Sequence, residues 1–281
     1  MGLGFALKFD SGGTKNISVF GTFAIDVYKG GVKLKKLLVA VVLALVLGVY
    51  SLGTTVFAVD QVTNAMYEES LDVAEDGSQV KSIFDKDFEK VKKLIDNDKS
   101  FVPEKFRDEV IQLSKMGTPY KVYYAPDDFI EPFTMDGDFS KAVKGQVFWE
   151  VPLLDDKGRI ISTSTAWKEQ GAWTIAQTGL YAPVEVIEVT TNPELLYELL
   201  KDNNIEGVKK IKHVRSIDVG LDILYIKAKR GEYLLPFGNR PDIAGLENLK
   251  VYTVDEVKNI WKELLEEQKQ KSQSNNMNPE E

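Results

Sequence analysis

Along the chain the spacing of apolar positions changes repeatedly, and each change marks an element. Over Asp85–Asn97, Phe88, Val91, Leu94 and Ile95 recur at helical spacing, with Ser82 or Asp85 placed to cap a predicted helix. From Pro103 to Met116 the stripe repeats as Phe106, Val110, Ile111 and Leu113. Pro103 suits a first helical turn and Gly117 a stop, so a second helix is predicted there. The period then falls to two. Tyr120–Tyr124 is a predicted strand, and Gln146–Leu154 puts Val147, Trp149, Val151 and Leu153 on one face. Asp155-Asp156-Lys157-Gly158 is a hairpin turn in which glycine supplies the positive φ. Arg159–Trp167 returns with Ile161, Thr163, Thr165 and Trp167 on one face, and Glu169-Gln170-Gly171 turns into Ala172–Gln177. The result is a three-stranded antiparallel meander.

The second half repeats the alternation of types. Pro183–Val189 reads as a strand, and Thr191 or Asn192 caps a helix from Pro193 to about Lys201 with Leu195, Leu196, Leu199 and Leu200 inward. Ile217–Ala228 and Glu232–Phe237 form a hairpin around Lys229-Arg230-Gly231, and a last helix over Val254–Gln270 buries Val257, Ile260, Trp261, Leu264 and Leu265. The predicted fold class is α+β: an antiparallel sheet, built of a meander plus a second hairpin, with helices packed on one face. Residues 81–180 form the meander lobe and 181–270 the helix–hairpin–helix lobe, joined as one globular unit. Ile130-Glu131-Pro132-Phe133 is similar to Leu234-Leu235-Pro236-Phe237, and Pro103-Glu104 to Pro193-Glu194, which suggests a duplicated unit.

Ahead of this lies a segment of another kind. Lys33, Lys35 and Lys36 precede the apolar run Leu37–Leu47, a more polar stretch follows, and Val56-Phe57-Ala58 has the small residues of a cleavage site. Residues 33–58 are therefore expected to be a signal peptide or membrane anchor, with the lysines on the cytoplasmic side. Lys29-Gly30-Gly31 matches the translation of a purine-rich ribosome-binding sequence, with Leu34 then standing at an alternative start codon. Residues 1–32 are accordingly expected to be an extended or mis-assigned leader. Residues 59–80 read as a polar spacer and 271–281 as a disordered polar tail.

Charge and composition remove function classes. The net charge of −8 argues against nucleic acid, which demands clustered Lys and Arg. The one basic run, Lys209–Arg215, reads as a solvated helix end entering a strand. With no cysteine and one histidine, thiolate metal sites and cysteine nucleophiles are excluded. His213 sits between basic neighbours and reads as a solvated or structural side chain. The acidic loops Asp136-Gly137-Asp138 and Asp155-Asp156 do not match a calcium-binding loop. Neither a nucleophile elbow nor a phosphate-binding loop is present. Glu131, Asp136, Asp138 and Glu150 lie near one another in sequence as the nearest candidate for paired carboxylates.

Aromatic residues make the best binding candidates. Trp149, Trp167 and Trp173 fall on adjacent strands of the meander, where they serve either as a core or as a platform for a sugar or an extended peptide. Tyr123, Tyr124, Phe129 and Phe133 are a second such group. No catalytic, cofactor-binding or metal-ligating residue is assigned. The expected function is that of a non-catalytic exported protein binding another protein or a cell-wall polymer at the envelope. The chain is then secreted or held at the outer face of the membrane, touching it only through the N-terminal segment. The rival is an exported hydrolase working through carboxylates or a Ser-Lys pair.

Overall fold

The computed structural model describes residues 58–68, 74, 76–109, 111–126, 129–142, 147–216 and 221–277. The apolar run and the leader before it lie outside these residues. Among the described residues no helix is long and apolar enough to cross a membrane.

A nine-stranded sheet runs through both predicted lobes. Its strands are β1 (Leu113–Met116), β2 (Tyr120–Tyr124), β3 (Val147–Asp155), β4 (Ile160–Glu169), β5 (Ala172–Thr178), β6 (Lys210–Ser216), β7 (Leu221–Lys227), β8 (Glu232–Phe237) and β9 (Tyr252–Thr253). The order is β5-β4-β3-β2-β6-β7-β8-β9, with β1 also on β3. Every pairing is antiparallel except β2 with β6, which are parallel, with Val122 opposite His213. The α+β class holds, and the sheet is mixed rather than purely antiparallel.

The helices cover both faces of the sheet, not one. On the front face, α2 (Gly77–Asn97) sets Val80, Phe84, Val91 and Ile95 against Trp149, Val151, Leu153 and Ile161 of β3 and β4. Also in front, α3 (Ile130–Asp136), α4 (Phe139–Ala142) and α7 (Val254–Met277) cover β6–β8. There Trp261 meets Phe129 and Phe133 edge-to-face at 5.5 and 5.4 Å, and its indole N–H donates to the Ala244 carbonyl. The back face is covered by α5 (Val184–Thr191), α6 (Pro193–Asp202) and a helix over 58–66, α1. Within the stretch expected to be a polar spacer, α1 buries Val62, Ala65 and Met66 because these fall at helical i, i+3, i+4 spacing.

Several predicted elements change type. Pro183–Val189 is not a strand. Its buried residues Val184, Val186, Ile187 and Thr190 follow a helical face, and Pro183 starts the turn, so tertiary packing overrides the β-branched composition. The predicted helix over Pro103–Met116 breaks into a 3₁₀ turn (Glu104–Phe106) and β1, because β3 extends far enough to pair with Leu113 and Met116. The two Pro-Phe motifs occupy unlike elements, α3 and β8, so they mark no duplicated unit. The basic run is strand β6 itself, and the last helix continues through residue 277.

Candidate functional site

The sheet's alternation sorts the side chains that matter. Glu150 pairs across to Tyr120 on one side and Thr165 on the other, so all three share the back face, joined by Phe148 and Trp167 two residues along their strands. In β6, His213 and Arg215 point the same way, and Arg215 stands opposite Asp222 of β7. α1, α5 and α6 leave the back face open toward the carboxyl ends of β2 and β6. A groove of about 1240 Å³ opens there, reaching from Gln177 on β5 to Asp222 on β7.

At the groove floor one guanidinium faces two carboxylates. Arg215 Nε donates to Asp222 Oδ1 at 2.5 Å, and its Nη2 lies 2.8 Å from Glu150 Oε2. The latter contact is an ion pair rather than a directed hydrogen bond, since neither Glu150 oxygen has a hydrogen-bond partner. The guanidinium is stacked against Tyr181, 4.0 Å from its ring centre, with Phe148 at 5.2 Å. Tyr181 is itself fixed by a 2.7 Å hydroxyl–hydroxyl bond to Tyr120.

Burial sets the electrostatics. Glu150 is 0% exposed, and removal from water lifts its carboxyl to about 7; Arg215 pulls it down and the Asp222 charge pushes it up. Asp222 is lifted to about 6 by burial, against the pull of Arg215. Burial lowers the proton affinity of Arg215, but the two carboxylates more than restore it and hold the guanidinium well above its usual range. His213, stacked on Tyr120 at 4.4 Å, is pushed down to about 3 by burial and by the Arg215 charge. It is therefore a buried neutral imidazole and not a solvated one: by alternation Lys212 takes the front face, while Arg215, two residues on, shares its face.

The aromatic candidates separate. Trp149 and Trp173 lie in the front core under α2, where the Trp173 indole N–H donates to Asp76, and an edge of each also reaches the groove lining. Trp167 is on the opposite face, 46% exposed, at the groove wall. A register shift in the β3–β4 ladder explains why Ile161 and Trp167 do not share a face as simple alternation predicts. Phe129 and Phe133 are core, whereas Tyr124 lines the groove.

The acidic candidates are not brought together. Glu131 is an exposed partner of Lys269, Asp138 accepts from the Ser140 N–H and hydroxyl, and Gly137 ends α3 in the left-handed region at φ 73°. Asp155 closes its hairpin by accepting from the Lys157 and Arg159 amides, with Gly158 at φ 79°. Among the described residues no cluster of His, Asp and Glu is suited to a metal ion. Arg215, Asp222, Tyr120 and Tyr181 escape sequence reasoning. The available signal is the placement of His213 and Arg215 on the same inward alternation as Ile211, with Lys210 and Lys212 on the other.

Comparison with protein-family models, curated proteins and solved structures gives no match, so the functional reading rests on the geometry of the chain itself.

Proposed function

We propose that this chain is an exported, non-catalytic protein of the cell envelope that binds a wall polymer along the groove. Export rests on the lysine-flanked apolar run of residues 33–58. The observation that carries polymer binding is the groove itself. Its volume of about 1240 Å³ exceeds that of usual small-molecule pockets, roughly 300–1,000 Å³. Its wall holds the half-exposed indole of Trp167 beside the hydroxyl of Thr165 and the amide of Gln177, the mixture of flat apolar face and neutral polar groups that a sugar polymer meets.

Two measurements test this. N-terminal sequencing of the protein recovered from its host is expected to find a chain outside the cytoplasm, beginning at Val59 or still carrying the apolar run. A cytoplasmic chain sinks export. Cosedimentation with purified wall polymer is expected to bring down the protein and to fall about tenfold in affinity for Trp167→Ala, the loss of an aromatic contact worth about 1.4 kcal/mol. No sedimentation of the parent chain removes polymer binding.

A second reading has one observation in its favour: Asp222 on the groove floor and Glu150 buried behind it both have raised proton affinities, as acid–base catalysts do. The complete burial of Glu150 and its Arg215 contact argue for a structural charge cluster instead. Release of soluble fragments from the polymer, abolished by Glu150→Gln, would favour the hydrolase.

A further inference from the structure

We infer that Arg215 and Asp222 form a polar subsite at one end of the groove for an uncharged sugar, and that the bound ligand is an oligosaccharide long enough to reach Trp167. This rests on the polymer-binding reading above and names the ligand's chemistry.

The subsite is built, not incidental. Asp222 is 4% exposed and lines the groove. Its Oδ1 is taken by Arg215 Nε, while Oδ2 has no partner among the described residues. Arg215 uses Nε and Nη2 on the two carboxylates and leaves Nη1 without a partner among them. A ligand supplying both a donor and an acceptor would engage these two atoms together.

Charge selects among ligands. At this end an anionic group meets Asp222, with Glu150 behind it, and a cationic group meets Arg215; of the other charges on the lining, Lys168 pairs with Asp76, Arg240 with Asp242, and Lys121 lies over the Tyr123 ring. A neutral group that donates to Oδ2 and accepts from Nη1 suits both, as neighbouring hydroxyls or an acetamido group of a sugar do. The stacked rings of Tyr181 and Phe148 hold the guanidinium in place, so little order is lost on binding.

Length follows from the strand order. Trp167 is on β4 and Asp222 on β7, separated by β3, β2 and β6. At ~4.8 Å per strand the two are about 19 Å apart, more than one sugar ring spans.

Calorimetric titration of the full chain with N-acetylglucosamine oligomers, from the dimer to the hexamer, tests the inference. The expected result is tighter binding with each added ring until the groove is filled. Asp222→Asn turns the free acceptor into a donor, while its amide oxygen still accepts from Arg215 Nε and Glu150 still faces Nη2, so the variant is expected to fold. It should weaken every oligomer by about fivefold, the equivalent of one hydrogen bond. Trp167→Ala should weaken the longer oligomers about tenfold and leave the dimer unaffected. Affinities that Asp222→Asn leaves unchanged, with Trp167→Ala still weakening binding, overturn the subsite and spare polymer binding. If wall polymer cosediments but no oligomer binds, an uncharged sugar is the wrong ligand. An extended peptide that binds where oligomers do not makes the partner a protein and overturns both readings.

Discussion

Glu150 on β3, His213 on β6 and Asp222 on β7 put opposite pH dependences into one small region. Glu150, ordinarily near 4.5, sits at about 7 when folded. Between those values the folded chain keeps a proton that the unfolded chain has lost, so stability falls as pH rises. Asp222 acts the same way between 3.8 and about 6. His213 acts in reverse. Its folded value of about 3 lies below its usual 6.5, so stability is present above 6.5 and drains away as pH falls through that window. Relative to the parent chain, Glu150→Gln should therefore gain most at pH 8, and His213→Phe, which keeps a ring against Tyr120, should gain most at pH 5. The His213 effect at pH 5 should be on the order of 2 kcal/mol. Urea unfolding midpoints at both pH values check this, and differences that do not change with pH would refute it. None of these three roles is legible from residue type alone. Arg215 ends a lysine-rich run, and Asp222 is one acid among many. Only the β2–β6 and β6–β7 registers bring them onto one face with Glu150.

At the level of elements, legibility follows how local the determining interactions are. The meander and the second hairpin are set by alternation and turn chemistry within a few residues, and they stand as predicted. Helix α6 is equally local: the Asn192 side chain accepts from the Glu194 and Leu195 amides, and Pro193 begins the first turn. Asn192→Ala should cost about 1 kcal/mol in chemical denaturation, while Asn192→Ser or Asp should cost far less. An Asn192→Ala chain as stable as its parent would show that packing alone fixes the helix start. Where partners are distant in sequence, prediction fails. β1 exists because β3 has residues left over for it to pair with, and α5 is helical because the back face offers an apolar surface that its Val184, Ile187 and Thr190 side can cover. The face of Trp167 depends on the register shift opposite Leu153 and Leu154, which puts Ile160 on the back core and Ile161 on the front. Strict alternation has no means of announcing such a shift.

At the scale of the whole sheet, the strand order reads as two four-stranded meanders, β2–β5 and β6–β9, fanning out from the parallel pair β2 and β6. The helices that follow each meander take opposite faces, α5 and α6 behind and α7 in front. The repetition is one of topology. Each half leaves part of its own surface for the other half's helices, and the groove opens where the back-face cover ends. α1 contributes to the cover that is present. Val62, Ala65 and Met66 pack with Ile187 and Leu196, and the Tyr67 hydroxyl donates to the Thr191 carbonyl at 3.2 Å. This bears on the proposed cleavage after Ala58, because a chain beginning at Val59 keeps all of these contacts. Burying a carboxylate among aliphatic side chains is severely unfavourable. Val62→Asp should therefore destabilise the folded domain by about 3–5 kcal/mol, and removal of residues 59–76 should do at least as much harm. Melting temperatures of the Val59 chain, its Val62→Asp variant and the shorter chain test this together. Three equal values would show that α1 is a tether with no part in the core. A stable Val59 chain beside two weakened ones would mean that the residues just after the proposed cleavage site belong to the fold.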